Sequence, residues 1–381
     1  MKIVKVFGQP SWRLRTKAVD VYIGRTGGMV GPVVYHLNGR DISPYAVAPW
    51  AEEKLPADVS PLLRALRGDF FCMPFGFDPR PFRGERHPQH GECAQGEWRY
   101  DGRQSAAGRV TLRLGYATRI RRGFITKEVT LIPGHTAVYQ RHVIFGMRGP
   151  MSYGYHATLK FPAAEGSGHL ATSPILFGQV WPEPFENPAA GGYSCLKTGA
   201  RFASLRRVPL AAGGHADLSR YPARAGFDDA VLLGTDPRLP VAWTTVAFPH
   251  ERYVWYSLKD PRELTLTLLW MSNGGRHYAP WNGRHRHVMG LEEITAMPTG
   301  LAASVAPNIF SRAGIRTRTI LHRLRPTSVR SIHGVAAIPA DFDAVASLRP
   351  VAGGIELRSR SGRTVRAAVD LQFLGRTALR G

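Results

Sequence analysis

The segment between Gly68 and Trp98 contains the densest group of side chains that could perform chemistry. Two residues separate its histidines, His87 and His90, and three glutamates lie near them in sequence: Glu85, Glu92 and Glu97. Imidazole and carboxylate groups either bind a metal or transfer protons. A zinc site needs a third and a fourth ligand, and no cysteine of the chain lies at zinc spacing from another. We therefore predict that the protein uses neither a metal nor a cofactor.

The elements that hold this segment are predicted to be β-strands. The segment itself is rich in proline and aromatic residues, which is typical of a binding loop between strands. Elsewhere, apolar and polar residues alternate with the period of two that indicates strands. The clearest runs are Arg109–Leu114, Phe124–Leu131, Ala137–Phe145, Val241–Ala247, Arg252–Leu258 and Leu264–Trp270. Near the end, Ile355–Arg360 and Thr364–Asp370 flank Ser361–Gly362 and predict a hairpin.

Helical patterns are short and few. The best candidates are Pro61–Arg67 and Asp341–Leu348, each about two turns long. No βαβ alternation and no repeat of 20 to 50 residues is found. The sequence therefore predicts a mostly β fold, an antiparallel sandwich with less than a fifth of its residues in helices. We expect a main domain over residues 1–298 and a C-terminal extension, residues 299–381, that packs on the same domain.

The composition restricts the classes of partner. The net charge is +22, and only eight of the 50 basic residues are lysine, so the excess is carried by arginine. Because the arginines are scattered and form no run of five or six, we expect a solvated basic surface and no nucleic-acid partner. No stretch approaches the roughly 18 apolar residues of a membrane helix, and the N-terminal residues do not resemble a secretory signal. Three cysteines without CxxC spacing are typical of the cytoplasm.

Several short motifs occur in the order found in one known superfamily. They are VYIGRTGGMVGPVVYHLNGRDISPY (Val21–Tyr45), HGECAQGEW (His90–Trp98), Gly154–Tyr155–His156, Phe227–Asp228–Asp229 and Gly290–Leu291–Glu292–Glu293. Together they resemble the aldose 1-epimerase, or galactose mutarotase-like, superfamily over about residues 18 to 296. The resemblance implies a β-supersandwich with a sugar-binding cleft on one sheet face, and hence a small carbohydrate as the ligand.

The resemblance also implies roles for individual residues. Glu292 would be the catalytic base, His156 the acid, and His90 a second histidine that polarises the ring oxygen of the sugar. Glu293 competes with Glu292, since consecutive strand residues face opposite sides. The remaining candidates would bind the substrate: Asp228, Arg80, His87, Trp98 and Trp281, with Trp181 as another stacking surface and His285 and His287 near the cleft. The Arg of the family's proline segment is matched only loosely, to Arg80 or Arg83.

Three functions are compatible with these observations. The first is an enzyme that opens and recloses a sugar ring, because removing the O1 proton and protonating the ring oxygen requires a base and an acid. The second is a carbohydrate-binding protein of the same fold that has lost catalysis. The third is the binding of an anion or a nucleic acid by the arginine-rich surface. The sequence does not indicate which sugar is bound or the oligomeric state.

Overall fold

Antiparallel β-structure makes up most of the protein. The computed structural model describes residues 1–77 and 79–375. Strands account for 48% of the residues and helices for 7%. The predictions of a mostly antiparallel β fold and of a low helix content are therefore confirmed.

The strands follow one another with short connections. The first fifteen are β1 (Ile3–Val6), β2 (Gln9–Arg15), β3 (Val19–Gly24), β4 (Val30–Leu37), β5 (Arg40–Ile42), β6 (Phe71–Cys72), β7 (Arg99–Ala106), β8 (Arg109–Thr118), β9 (Gly123–Leu131), β10 (Ala137–Phe145), β11 (Gly149–Met151), β12 (Tyr153–Tyr155), β13 (Ala157–Lys160), β14 (Gly168–Thr172) and β15 (Ile175–Val180). The later ones are β16 (Arg201–Phe202), β17 (Val208–Pro209), β18 (His215–Ala216), β19 (Arg220–Tyr221), β20 (Phe227–Thr235), β21 (Ala242–Phe248), β22 (Tyr253–Lys259), β23 (Leu266–Asn273), β24 (Val288–Thr295), β25 (Thr319–Leu321), β26 (Thr327–Ala337), β27 (Val345–Val351), β28 (Gly354–Ser359) and β29 (Thr364–Ala368).

The helices are all short. They are α1 (Pro61–Ala65), α2 (Glu92–Gln95), α3 (Leu301–Val305) and α4 (Ile309–Arg312), with 3₁₀ turns at Pro188–Ala190 and Leu371–Leu374. Ser60 begins α1 because its side chain accepts a hydrogen bond from the Leu63 amide and Pro61 follows it. Among residues 1–77 and 79–375, no helix has the length and the apolar character needed to cross a membrane.

Two large sheets organise the molecule. The nine-stranded sheet has the order β19-β14-β21-β22-β26-β10-β9-β8-β7, and the eight-stranded sheet has the order β16-β15-β20-β23-β24-β12-β6, with β13 also paired to β24. Strands β1 to β5 form a separate meander. The pairings described within these sheets are antiparallel, as the short connections between successive alternating runs indicate.

The eight-stranded sheet is buried on both faces. In β23, Leu269 and Met271 belong to the core between the two large sheets. Leu266, Leu268 and Trp270 alternate with them and belong to a second apolar cluster on the outer face. That outer cluster is completed by α1 and neighbouring loops, which cover the sheet. The site described below lies between this outer face and its cover.

The C-terminal part of the chain contributes a central strand to the nine-stranded sheet. β26 lies between β22 and β10 in the nine-stranded sheet. β27, β28 and β29 form a three-stranded sheet whose apolar residues join a cluster with the nine-stranded sheet. The division of the chain at residue 298 stays a prediction.

The local predictions are confirmed with one exception. Each of the six alternating runs overlaps an observed strand, Pro61–Ala65 is helical, and β28 and β29 form the predicted hairpin. The predicted helix at Asp341–Leu348 is wrong, because Val345–Val351 is strand β27, which pairs with β28. Val345 and Phe342 are buried beneath the nine-stranded sheet. Pairing with the hairpin therefore overrides the helical pattern.

Candidate functional site

A cleft opens on the outer face of the eight-stranded sheet, under α1. Its floor is formed by Ala230 of β20, Leu268 and Trp270 of β23, and Glu292 of β24. The facing wall consists of the leucines in and just after α1, together with aromatic side chains from neighbouring loops. The volume of the cleft that the centre of a water molecule can occupy is about 50 Å³. That is several times the space one ordered water needs.

Glu292 and His156 are in direct contact at the floor of this cleft. Glu292 lies in β24, and His156 lies in the single-residue break between β12 and β13, the strands that pair with β24. Glu292 Oε1 is 3.3 Å from His156 Nε2, and the two side chains are 2% and 6% exposed. Phe70 stacks on the imidazole with ring centroids 4.5 Å apart. The pair is therefore nearly dry, which strengthens the interaction between its members.

The surrounding hydrogen bonds indicate where the shared proton lies. The Thr158 hydroxyl donates to the His156 carbonyl oxygen, at 3.4 Å, so its oxygen is free to accept from His156 Nδ1, at 3.3 Å. Nδ1 then carries a proton, and in the neutral ring Nε2, 3.3 Å from Glu292 Oε1, is left as the acceptor. Burial agrees with this arrangement. It raises the pKa of Glu292 well above its ordinary value, with a further contribution from Asp69, and it lowers the pKa of His156 well below its ordinary value.

His90 lies beside this pair as a hydrogen-bond donor. The Gly76 amide donates to His90 Nδ1 at 3.3 Å, so Nε2 carries the proton of the neutral ring. Burial lowers the pKa of His90 to about 3, and the ring therefore stays neutral at physiological pH. Its centroid lies 5.0 Å from that of His156, in an edge-to-face arrangement. An oxygen bound between the two rings can accept from His90 Nε2.

Two glycines make room for these side chains. Gly91 has a φ of +79°, and a Cβ at that position would collide with the Met73 carbonyl oxygen. The glycine after His90 is thus required by a close approach of two backbone segments. Gly290 lies two residues before Glu292 on the same face of β24, and a Cβ there would collide with the Glu292 carboxylate.

Glu293 lies on the opposite face, between the two large sheets. Its carboxylate accepts from Thr244 at 2.8 Å and from Thr267 at 2.7 Å, and it forms a fully buried ion pair with Lys259. Of the two consecutive glutamates, Glu292 therefore lines the cleft and Glu293 joins the sheets. Among the described residues, the cleft also contains Trp281 and Trp181 of the predicted stacking surfaces.

Arg276 is a lining residue that sequence reasoning missed. Its Nε donates to Glu186 at 2.6 Å and lies 3.5 Å from Asp228 Oδ2. Its guanidinium carbon lies 4.6 Å from the centre of the Trp281 ring and 5.3 Å from that of Trp270. Within residues 1–77 and 79–375, its terminal nitrogens donate no hydrogen bond to protein, so they can donate to a ligand. No local pattern in the sequence indicated it, since Arg276 lies six residues beyond the predicted strand Leu264–Trp270.

Asp228 is placed behind the cleft rather than in its lining. It is fully buried, and its carboxylate accepts from the Gly275 amide at 2.8 Å and from the Ser272 hydroxyl at 2.8 Å. The Ser272 hydroxyl also contacts His285 Nδ1, at 2.8 Å. Asp228 thus holds the chain segment that carries Arg276.

Three more of the predicted substrate-binding residues, besides Asp228, lie outside the cleft lining. Trp98 is in the core, where its Nε1 donates to the Cys93 carbonyl at 2.8 Å. His87 contacts Glu85, with Nε2 and Oε2 3.1 Å apart. Arg80 is 70% exposed and lies 3.9 Å from Glu183. His285 is buried against Trp270 in a stacked arrangement, beneath the lining, and His287 is likewise not a lining residue.

No group of three or more His, Cys, Asp or Glu residues that could hold a metal ion occurs in the described part of the chain. The groups at the cleft that could bind a metal are the carboxylate of Glu292 and the imidazoles of His156 and His90. They contact one another.

Comparisons with known proteins identify the architecture. No protein-family model matches the sequence, and no curated protein matches it. Solved structures do match. A galactose mutarotase related enzyme from Lactobacillus acidophilus has a TM-score of 0.55 at 10% identity, with 86% of this chain and 98% of that chain covered. The chain has the galactose mutarotase-like fold.

Two further structures extend the likeness. A galactose mutarotase-like protein from Clostridium acetobutylicum gives a TM-score of 0.56 at 11% identity, covering 88% of this chain and 98% of that one. A GalM/aldose epimerase homologue from C. elegans gives 0.55 at 10% identity, covering 86% and 99%. The resemblance noted in the short motifs is thus matched by the galactose mutarotase-like fold over most of the chain, and the cleft lies on a sheet face of that fold.

Proposed function

We propose that the protein is an aldose 1-epimerase-type enzyme that opens and recloses the ring of a small aldose at its anomeric carbon. The observation that carries this proposal is the contact between Glu292 Oε1 and His156 Nε2 in the cleft, with His90 beside it. A carboxyl group and an imidazole that share one proton provide both the base and the acid that ring opening needs.

The proton balance of the reaction matches this pair. When the shared proton is on His156, Glu292 is a carboxylate that removes the proton from O1 of the sugar, and His156 gives its proton to the ring oxygen. The C1–ring oxygen bond breaks and C1 becomes an aldehyde. Afterwards Glu292 is protonated and His156 is neutral, which is the state that burial favours for both groups. Rotation about the C1–C2 bond followed by the reverse transfers closes the ring as the other anomer.

His90 and the aromatic walls contribute differently. We propose that His90 Nε2–H donates to the ring oxygen and stabilises the charge that develops there as the bond to C1 breaks. Trp281 and Trp181 offer apolar ring faces for the C–H face of a pyranose. Asp228 would act through Arg276 rather than on the sugar itself.

The proposal is tested by following the mutarotation of freshly dissolved α-anomers of a panel of aldoses by polarimetry. We expect acceleration by the wild-type protein and none by Glu292→Gln. If no aldose mutarotates faster than in buffer, the enzymatic proposal is wrong. Binding of a sugar without acceleration would instead support the non-catalytic carbohydrate-binding function.

The three cysteines are unpaired, which supports the cytoplasm as the proposed location.

A second candidate function, the binding of an anion, is favoured by a surface depression of about 610 Å³. Five arginines line it: Arg83, Arg121, Arg122, Arg148 and Arg323. Glu85 accepts from Arg121 at 2.9 Å, so part of the charge is compensated. Calorimetric titration with pyrophosphate at low and high salt would test it, since charge-driven binding weakens as salt increases. Equal affinity of wild type and the Arg122→Gln/Arg148→Gln variant would contradict this function.

A further inference from the structure

One end of the nine-stranded sheet carries three turns that come from distant parts of the chain. They are residues 119–122 between β8 and β9, residues 146–148 after β10, and residues 322–326 before β26. The strand register brings them together, because the start of β9 pairs with the ends of β8 and β10, and the end of β10 pairs with the start of β26. Residues from all three turns line one surface depression of about 610 Å³. We name the three turns together the basic end.

Two of these turns place an aliphatic side chain between arginines. Residues 119–122 read Arg-Ile-Arg-Arg, and residues 323–325 read Arg-Leu-Arg. Ile120 is 36% exposed, and Leu324 is 83% exposed, the highest value among the large apolar side chains that the structure describes. The Arg325 amide donates to the His322 carbonyl oxygen at 3.1 Å, which closes a tight turn with Leu324 at its tip. Leu324 therefore contributes little to the core and is available to a partner.

The basic end carries a net positive charge. Five of its arginines are exposed and, among residues 1–77 and 79–375, form no ion pair: Arg119, Arg122, Arg148, Arg323 and Arg325. Two carboxylates contact these turns, and both are engaged. Glu85 accepts from Arg121 at 2.9 Å, and Glu92 accepts from the amides of Arg119 and Ile120 at 3.1 and 3.0 Å. The arginines are scattered in the sequence, but the sheet gathers them on one surface.

Arginines around protruding aliphatic side chains match the surface of an anionic membrane. Each basic residue near such a bilayer strengthens binding by roughly fivefold, and aliphatic side chains enter the boundary between the headgroups and the acyl chains. Contact of this kind needs no membrane-spanning helix. A nucleic acid would also attract the arginines, but leucine and isoleucine provide no flat ring on which a base can stack.

We propose that the basic end binds the surface of a membrane that contains anionic lipids. Leu324 and Ile120 enter the headgroup region, and the exposed arginines contact the lipid phosphates. None of the residues of the basic end lines the cleft, so this proposal does not depend on the proposed enzymatic function. It differs from the binding of a free anion in the depression, because a free anion does not require the two aliphatic side chains.

Sedimentation with lipid vesicles tests the proposal. The protein is mixed with vesicles of phosphatidylcholine alone, or of an equal mixture of phosphatidylcholine and phosphatidylglycerol, at low and at high salt. We expect at least tenfold stronger binding to the mixed vesicles, and weaker binding to them at high salt. Equal binding to both kinds of vesicle, or no binding to the mixed vesicles, would overturn the proposal.

Substitution of the aliphatic tip separates insertion from charge alone. Leu324→Gln keeps every charge but removes an apolar side chain from the headgroup region, so we expect at least threefold weaker binding to the mixed vesicles. Leu176→Gln is the matched control, since Leu176 is 43% exposed in β15 of the other large sheet, and it should bind as wild type does. Unchanged binding in Leu324→Gln, with the fold intact by circular dichroism, would overturn the proposal.

Substitution of arginines tests whether the position of the charge matters. Arg323→Gln/Arg325→Gln should weaken binding to the mixed vesicles at least tenfold. Arg206→Gln/Arg207→Gln removes the same charge from exposed positions between β16 and β17, and its binding should stay within about threefold of wild type. Equal losses in the two variants would contradict a specific surface. Binding of a single-stranded RNA that Arg323→Gln/Arg325→Gln abolishes, without binding to vesicles, would assign the basic end to nucleic acid instead.

Discussion

Glu292 and Glu293 are consecutive residues of β24 whose carboxylates serve opposite faces of the eight-stranded sheet. Glu292 lies in the cleft against His156, whereas Glu293 is enclosed between the two large sheets with Lys259. One strand thus carries a group placed for proton transfer and, at the next position, a group that joins the layers. This alternation provides an internal control for the proposed function.

We expect Glu292→Gln to reduce activity and Glu293→Gln to reduce stability. The amide introduced by Glu292→Gln can still donate to His156 Nε2 but cannot exchange a proton, so activity is lost while stability at pH 4.5 stays within about 1 kcal/mol. The Glu293→Gln substitution leaves the Lys259 ammonium buried without its counter-charge, which should cost about 3–5 kcal/mol. Urea unfolding and polarimetry measure the two effects. Full turnover in Glu292→Gln would exclude this residue as the base.

The pH profile of kcat/KM should show a wide plateau. Burial raises the pKa of Glu292 and lowers that of His156, so the pair keeps its single proton over the whole interval between the two pKa values. Activity should fall only when pH drops through the lowered pKa of His156 or rises through the raised pKa of Glu292. Measurement of kcat/KM across the pH range tests this. A narrow maximum between about 4.5 and 6.5, where the ordinary values lie, would contradict the shared-proton state.

The same pKa shift has a consequence for stability that needs no substrate. Because the folded-state pKa of Glu292 is raised, its contribution to stability is fully present below the ordinary value of 4.5 and is lost as pH rises through the folded-state pKa. Unfolding free energies of wild type relative to Glu292→Gln should therefore decrease from pH 4.5 upward. A difference that does not change with pH would show that this carboxyl is not protonated in the folded protein.

His90 should affect the rate without affecting the shape of the pH profile. His90→Phe fits among Phe70, Phe75 and Phe77 but removes the Nε2 donor, so we expect kcat to fall by about 10²–10³ with KM within about threefold. The plateau should persist, because the pKa of His90 is already lowered to about 3. His142→Phe, at a buried histidine outside the cleft lining, is the control and should retain kcat.

Gly290→Ala should lower activity by displacing Glu292. The new methyl would overlap the Glu292 carboxylate, and a shift of about 1 Å in a catalytic group can cost on the order of 100-fold in rate. Gly24→Ala is the control, since a Cβ there meets nothing closer than 3.6 Å. Comparable activity in both variants would show that the position of the Glu292 carboxylate does not depend on Gly290.

Asp228→Asn should act on binding. It weakens the contact with Arg276 Nε, 3.5 Å away, and we expect KM to rise about tenfold with kcat within about threefold. Asp229→Asn is the neighbouring control, because Asp229 accepts from the Cys195 and Leu196 amides rather than facing Arg276. A fall in kcat without a change in KM for Asp228→Asn would argue against a role through Arg276.

The sequence contained enough information for the strands and for part of the site. Alternation predicted the runs that became β8, β9, β10 and β21 to β23, because successive side chains of a strand face opposite sides of the sheet. It also predicted that Glu292 and Glu293 face opposite ways. Which of them faces the cleft depends on the register with β23, where Glu292 lies opposite Leu268, and that register is set by contacts far apart in the chain.

The rest could not be predicted because it depends on tertiary packing. Trp98 follows the His-Gly motif and was predicted to be a stacking surface. Its indole nitrogen instead donates to the Cys93 carbonyl oxygen in α2, and the ring lies in the core. Arg276 has no local pattern that distinguishes it from the other arginines. Its role follows from its contacts with Trp270 and Trp281 and from its hydrogen bond to Glu186, which lies 90 residues away in the chain.

The central position of β26 has a consequence for how the protein is made. On the ribosome, β10 is complete at Phe145, but its partner β26 ends at Ala337. At about 5–20 residues per second, roughly 10 to 40 s of translation separate them. From the completion of β22 at Lys259 until β26 is made, the nine-stranded sheet exists only as two halves, one ending at β22 and the other at β10. Each half has an unpaired edge open to association with other nascent chains. The nine-stranded sheet is therefore completed at its centre by β26, one of the last strands to be synthesised.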